Sequence, residues 1–343
     1  MHVPDGFLDV PTSIATGVIA AGTIAVALKK SRDELSEKTA PMAGLAAAFV
    51  FAVQMLNFPV GVGTSGHLMG GALAAVLVGP WTAVLVLSVV LMVQALVFAD
   101  GGLTALGTNM LLIGIVTVLV GWVVTKVVLR FMPQRPASVV PASFVGALLS
   151  VPAAAGVFVL LYTAGGATEL PFGPLLATML GWHTVIGLGE AFITAATVGA
   201  VVAVRPDLVY AARGLGQQLV LRTPDGRQIP AADVADVEPA AQRRSAWPLL
   251  AGGLGVTMIL AGAVSFVASS NPDGLEYVAE DQGFIDAAED SAVSGWSLAD
   301  YGEVGGIPVG VAGLIGVGVT ILIGLALFTW LSRRSTTKES VGV

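Results

Sequence analysis

Histidine is the second residue of this chain, which opens MHVPDGFLDV, and only two more follow, His67 and His183. An X-His dipeptide with a free amine presents three nitrogens in a row: the amine of Met1, the amide of His2 and Nδ1 of its imidazole. Amine and amide close a five-membered ring on a metal, amide and imidazole a six-membered one, and both rings favour a common plane. Such donors suit Ni2+ or Cu2+, and Co2+ with less geometric bias. Mg2+ and Ca2+ want oxygen shells and are excluded. One equatorial position stays open. His67, in NFPVGVGTSGHLMGG, is the natural fourth nitrogen if its loop shares a side of the protein with Met1. Thr64, Ser65 and Gly66 lead directly into it. A hydroxyl or backbone carbonyl there would hold the other ring nitrogen and fix the tautomer. Gly61, Gly63, Gly66, Gly70 and Gly71 let the loop run close to another backbone. Ordinary explanations fit the same residues. A histidine at position 2 can be an accident of a mobile terminus, and glycine-rich loops commonly connect or pack helices. PDG is a common turn that recurs at 224–226 and 272–274. On chemistry alone the two readings stand level.

The remaining polar candidates lie inside apolar runs. His183 and Glu190 are seven residues apart, two turns along one helical face. Ionisable groups at membrane depth face the bundle interior and are functional by default. His183 is therefore a metal relay, a support for the site or a buried hydrogen-bonding partner, and the structural role is favoured. Gln54, Gln94 and Asn109 are amides of the kind that join helices. Met55, Met69, Met92 and Met110 lack a tight repeated spacing, which favours packing over relay of a soft ion. Cysteine is absent, so no disulfide or thiolate site is possible.

These residues must be positioned by membrane helices. Apolar residues make up 55% of the chain and charged ones 11%, with a mean hydropathy of +0.86, a composition whose main solvent is lipid. A span needs roughly 20 apolar residues. Runs near 11–30, 40–57, 67–79, 80–99, 105–130, 138–164, 173–204, 247–269 and 306–331 give nine crossings, with Gly79 and Pro80 forming the tight turn inside the long run 67–99. With the N-terminus outside, all sixteen Lys and Arg residues fall at or near the inner face, and the outer segments carry only acids, among them Asp5, Asp9, Asp100, Glu169 and the cluster from Asp273 to Glu303. The C-terminus is then cytoplasmic. The start lacks the basic region of a cleavable signal, and a bulky second residue disfavours removal of Met1.

The blocks MHVPDGFLD, PVGVGTSGHLMGGALAAVLVGPW, VLMVQALVFADGGLTALGTN and GWHTVIGLGEAFIT resemble, in order and spacing, those of the CbiM/NikM family over residues 1–204. The resemblance implies a seven-helix membrane fold and the role of substrate-binding component in an energy-coupling-factor importer of cobalt or nickel. Cobalt use in that family feeds cobalamin biosynthesis. It also implies a metal held by the amine of Met1, the amide and imidazole of His2 and the imidazole of His67. The implied partners are a CbiQ-type transmembrane coupling protein and CbiO-type ATPase subunits. SSNPDGLEYVAEDQGF resembles the PDGLE domain, also found as a separate NikN-like subunit. The expected organisation is therefore a metal-binding domain at 1–204, a cytoplasmic linker at 205–246, a PDGLE-like module at 247–331 whose two spans flank an outer acidic loop, and a tail at 332–343. That loop either concentrates cations or is simply solvated.

The expected fold is an all-α polytopic membrane protein. No G-x-x-x-x-G-K-[ST] occurs, so ATP hydrolysis falls to partners and the chain is not an enzyme. Three dispersed histidines offer no H-E-x-x-H, which argues against an intramembrane protease. A secondary transporter using His183 and Glu190 as an ion relay would show an inverted repeat, and none is evident. The expected ligand is Ni2+ or Co2+ as cargo, with no organic cofactor, and the expected surroundings are membrane lipid in a plasma membrane and no nucleic acid.

Overall fold

The computed structural model describes residues 1–36, 39–61, 63–215, 220–222, 228–230, 245–299 and 306–339. Most of the expected linker, the end of the acidic cluster and the last four residues lie outside these. Among the described residues, ten helices carry the fold: α1 (Val10–Glu34), α2 (Ala40–Gln54), α3 (Gly71–Val78), α4 (Pro80–Val97), α5 (Leu106–Arg130), α6 (Val139–Gly165), α7 (Phe172–Val204), α8 (Trp247–Gly262), α9 (Gly274–Gln282) and α10 (Val309–Glu339). The described residues also hold two short antiparallel strand pairs, β1 (Phe58–Gly61) with β2 (Thr64–Gly66), and β3 (Val220–Arg222) with β4 (Gln228–Pro230). The protein is an all-α polytopic membrane protein.

Seven of the described helices are long and apolar enough to cross a bilayer. Each presents apolar side chains outward, such as Ile14, Leu119, Phe192 and Leu322, where lipid rather than water is the natural neighbour. Two of the nine expected crossings take another form. The run 40–57 yields the 15-residue α2, and 67–79 yields only the eight-residue α3, preceded by non-helical backbone through Met69. Both are buried nearly all round, as expected for helices apolar on every face. Non-helical backbone survives at this depth only where protein satisfies it. Here the Glu190 carboxylate accepts from the N–H groups of Met69 (2.7 Å) and Gly70 (3.1 Å), and Gln54 Nε2 donates to the Met69 carbonyl (2.8 Å). Gly70 adopts φ +82° to start α3, a conformation that favours glycine.

Gly79 (φ +99°) and Pro80 form the expected tight turn, and Glu34 closes it by accepting from Trp81 N, Thr82 N and Thr82 Oγ1. The C-terminal helices pack on the rest mainly through α2, with α10 also touching α1 and α4. A Cβ added at Gly324 of α10 would stand 3.2 Å from the Cα of Gly44, so these helices approach through small residues. After α8, the segment from Asn271 to Glu289, with α9 inside it, lies over the end that carries Met1 and His67.

Candidate metal site

The first nine residues are stitched into the protein residue by residue. Asn109 clasps Val3, with Oδ1 accepting from its N–H (2.7 Å) and Nδ2 donating to its carbonyl (3.0 Å). Asn109 was expected to join helices, but instead it docks the N-terminal segment. Gly102 N also donates to Val3 O. The Asp5 carboxylate accepts from Leu103 N, Thr104 N and Thr104 Oγ1, at the turn entering α5. Further along, Ala167 N donates to Phe7 O and Asp9 N to Gly165 O. Phe7 packs against Phe284 (ring centroids 5.1 Å), so the loop after α9 covers the segment.

This stitching buries Met1 (3% exposed) and sets its amine against His67 Nε2 at 2.5 Å. Two nitrogens bound at about 2.0 Å to one ion, at right angles, would be about 2.8 Å apart, so the pair already stands near the spacing of adjacent ligands. His67 Nδ1 lies 3.0 Å from the Leu68 carbonyl. A carbonyl only accepts, so the neutral ring carries its hydrogen on Nδ1 and turns the Nε2 lone pair to the amine. Thr64 and Ser65 do not hold that ring. Thr64 Oγ1 is buried without a partner, and Ser65 ties its loop to residues 271–272, N–H to Pro272 O (2.9 Å) and Oγ to Asn271 O (2.8 Å). Gly66 lies flat on α7, where a Cβ would stand 2.6 Å from the Ile186 side chain.

The His2 ring stacks on that of His67, centroids 4.9 Å apart and planes 20° from parallel. Its Nδ1 faces Asp100 Oδ1 at 3.3 Å, and its Nε2 is buried with no partner. The expected chelate uses Nδ1, so His2 enters it only by turning from Asp100. Burial lowers the His2 pKa to about 4, which keeps the ring neutral and its lone pair available at ordinary pH. Among the described residues, no three His, Asp or Glu side chains form a metal-holding group. The terminal amine is what raises the nitrogen count.

Two carboxylates in the site carry no chelate signature in the sequence. Asp100 is one, and Asp273 is the other, with Oδ2 2.7 Å from the Met1 amine and 3.5 Å from His67 Nε2. Burial alone would raise its carboxyl, but the Met1 ammonium beside it holds it well below the usual range. The signal for Asp273 was PDGLE itself, a capping box in which position 273 starts a helix and Glu276 reaches back. His2, His67, Asp100, Asp273 and Glu276 line one cavity of about 340 Å3. A larger crevice of about 560 Å3 between α2, α3, α7 and α8 is walled almost wholly by apolar side chains and offers no such donors.

His183 lies under the start of α9. Its Nδ1 is 2.8 Å from the Met179 carbonyl, and its Nε2 is buried without a partner. Glu190, two turns away, holds the start of α3 as described. Gln94 has both side-chain polar atoms buried and unpartnered. Met69 and Met110 lie in the core, Met92 is exposed, and Met55 lines the 340 Å3 cavity.

Residues 2–208 match the family described as the cobalt uptake substrate-specific transmembrane region, CbiM. The chain belongs to the CbiM family. Residues 247–333 match the PDGLE domain, so a CbiM region and a PDGLE region occur in one chain. A protein of Archaeoglobus fulgidus, provisionally named a fused nickel transport protein NikMN, is 32% identical over 330 residues, covering 95% of this chain and 98% of that one. The cobalt transport protein CbiM of Geobacter sulfurreducens is 33% identical over 218 residues, 61% of each chain. A solved truncated transition metal transporter superposes with a TM-score of 0.51 at 30% identity, covering 59% of this chain and 99% of that structure. Its extent agrees with the CbiM region alone.

Proposed function

We propose that this chain is the substrate-binding membrane component of an ATP-driven energy-coupling-factor importer of Ni2+ or Co2+, the ion being held by the Met1 amine, the amide and imidazole of His2 and the imidazole of His67. The observation that carries this reading is the buried amine facing the Nε2 lone pair of His67 at near-ligand spacing. Residues 1–204 form the metal-binding domain in this reading, 205–246 the cytoplasmic linker, 247–331 the PDGLE-like module and 332–343 the tail. The N-terminus faces outward and the C-terminus the cytoplasm. Support comes from the fold, whose outer and inner ends separate the acids around Met1 from basic groups such as Lys30 and Arg213, packed on Trp81 and Tyr210 near the Gly79 turn.

Binding begins with an ion entering the cavity beside His2. The amine and the His2 amide each release a proton to solvent through the cavity, the two nitrogens join the His67 lone pair on the ion, and His2 turns from Asp100 so that its Nδ1 closes the chelate. Nitrogen donors in one plane admit Ni2+ and Co2+ and disfavour Mg2+ and Ca2+. Release inward requires movement of the loop that Glu190 and Gln54 fasten, driven by a CbiQ-type coupling protein and CbiO-type ATPases. The test is elemental analysis and metal uptake with protein whose N-terminus is untagged. His2→Ala and His67→Ala should each lose the bound ion and uptake. Unchanged metal content and uptake in both would refute the reading. Uptake that persists without the ATPase partner would instead favour an ion-gradient-driven transporter.

A further inference from the structure

We propose that the PDGLE region supplies Asp273 Oδ2 as an oxygen donor to the transported ion, receiving it from the cavity and handing it to the three-residue nitrogen set. This rests on the ligand assignment above and adds a residue from the other end of the chain. Asp273 divides its oxygens between two tasks. Oδ1 caps α9, accepting from Leu275 N (2.7 Å) and Glu276 N (3.0 Å), while Glu276 Oε2 accepts from Asp273 N (2.9 Å). The capping box fixes the carboxylate plane and leaves Oδ2 aimed at Met1 and His67.

The spacing of the three atoms is what a small cation requires. Met1 N, His67 Nε2 and Asp273 Oδ2 form a triangle with sides of 2.5, 2.7 and 3.5 Å. The circle through them has a radius of about 1.8 Å, so one divalent ion at a usual bond length of roughly 2.0–2.1 Å touches all three from just above their plane. A second observation points to a ligand at the same place. The His2 side chain is 9% exposed, its Nε2 has no partner, and it lines the same cavity as Asp273. The register is built in as well, because Ser65, two residues before His67, is bonded to both Asn271 and Pro272. The loop carrying the imidazole and the loop carrying the carboxylate therefore move together.

The experiment uses the full chain with an untagged N-terminus, loaded with Co2+ alone and with Ni2+ alone. Asp273→Asn keeps the shape and one capping oxygen but has no anionic donor. It should load at least tenfold more slowly and shift the visible ligand-field spectrum of bound Co2+, with the parent's helix content by circular dichroism. Asp273→Ser, a capping residue without a second oxygen, should show the same shift, which guards against a folding defect in either variant. Asp281→Asn removes the same charge from the exposed part of α9 and should load like the parent. Loading and spectrum unchanged in both Asp273 variants would overturn the proposal, as would equal slowing by Asp281→Asn, which would mean attraction by charge alone. His67→Ala reads the underlying assignment separately: an ion retained there sinks the nitrogen set and leaves the Asp273 comparison standing on its own.

Discussion

Two buried carboxylates, Glu190 under α3 and Asp273 at the start of α9, differ in what they face. Among the described residues, Glu190 meets backbone N–H groups alone, those of Met69 and Gly70. Asp273 gives one oxygen to backbone N–H groups and the other to the amine and imidazole of the candidate site. A carboxylate satisfied by fixed amides holds a fold, whereas one turned to nitrogens that can exchange a proton for a metal is poised for chemistry. The contrast is sharpest when the nitrogens themselves are removed. His67→Ala, or any extension that converts the Met1 amine to an amide, should reduce Ni2+ affinity at least a hundredfold by equilibrium binding while leaving the melting temperature within a few degrees.

Removing Glu190 should do the reverse. Glu190→Ala leaves two buried N–H groups without acceptors, each costing about 1–3 kcal/mol, so the protein should melt lower by several degrees. Glu190→Gln retains one acceptor and should lose less. If Glu190→Ala kept its stability but lost the ion, Glu190 would belong with Asp273. Asn109→Ala is intermediate, since it breaks both hydrogen bonds to Val3. A loss of about 1–2 kcal/mol and a severalfold weaker Ni2+ affinity are expected, because Asp5 and Gly102 still hold the segment.

The spans were legible because lipid demands long apolar runs, and the Gly79–Pro80 turn because glycine and proline punctuate helices. The shortness of α2 and α3 was not, since hydropathy alone does not mark where a helix gives way to non-helical backbone held by Glu190 and Gln54. Met1 and His2 could be joined on paper because chelate rings follow from covalent geometry, and His67 was added because the charge map put its loop on the same side as Met1. Asp273 could not, because its role depends on a loop some two hundred residues away being bonded to Ser65. Both PDG turns that the structure describes, at Asp5 and Asp273, place a carboxylate against backbone amides, those of the turn before α5 and those of the first turn of α9. From sequence they read alike as turns, and only three-dimensional neighbours separate the one that anchors from the one that also meets the amine.

His183 sharpens the comparison at its smallest effect. It lies beneath Gly274, where an added Cβ would come within 3.3 Å of the His183 ring and 2.6 Å of Ile186. Its Nδ1 is engaged with a carbonyl of its own helix, and its Nε2 has no hydrogen-bond partner. A relay would use that Nε2, whereas a packing role would use only the ring's shape and the Met179 bond. His183→Gln keeps a donor and much of the volume, so packing predicts a stability change within about 1 kcal/mol and Ni2+ binding and uptake within twofold of the parent. Normal equilibrium binding with uptake slowed tenfold or more would mean that the ion passes through His183 on its way, and would place this histidine with Asp273 rather than with Glu190.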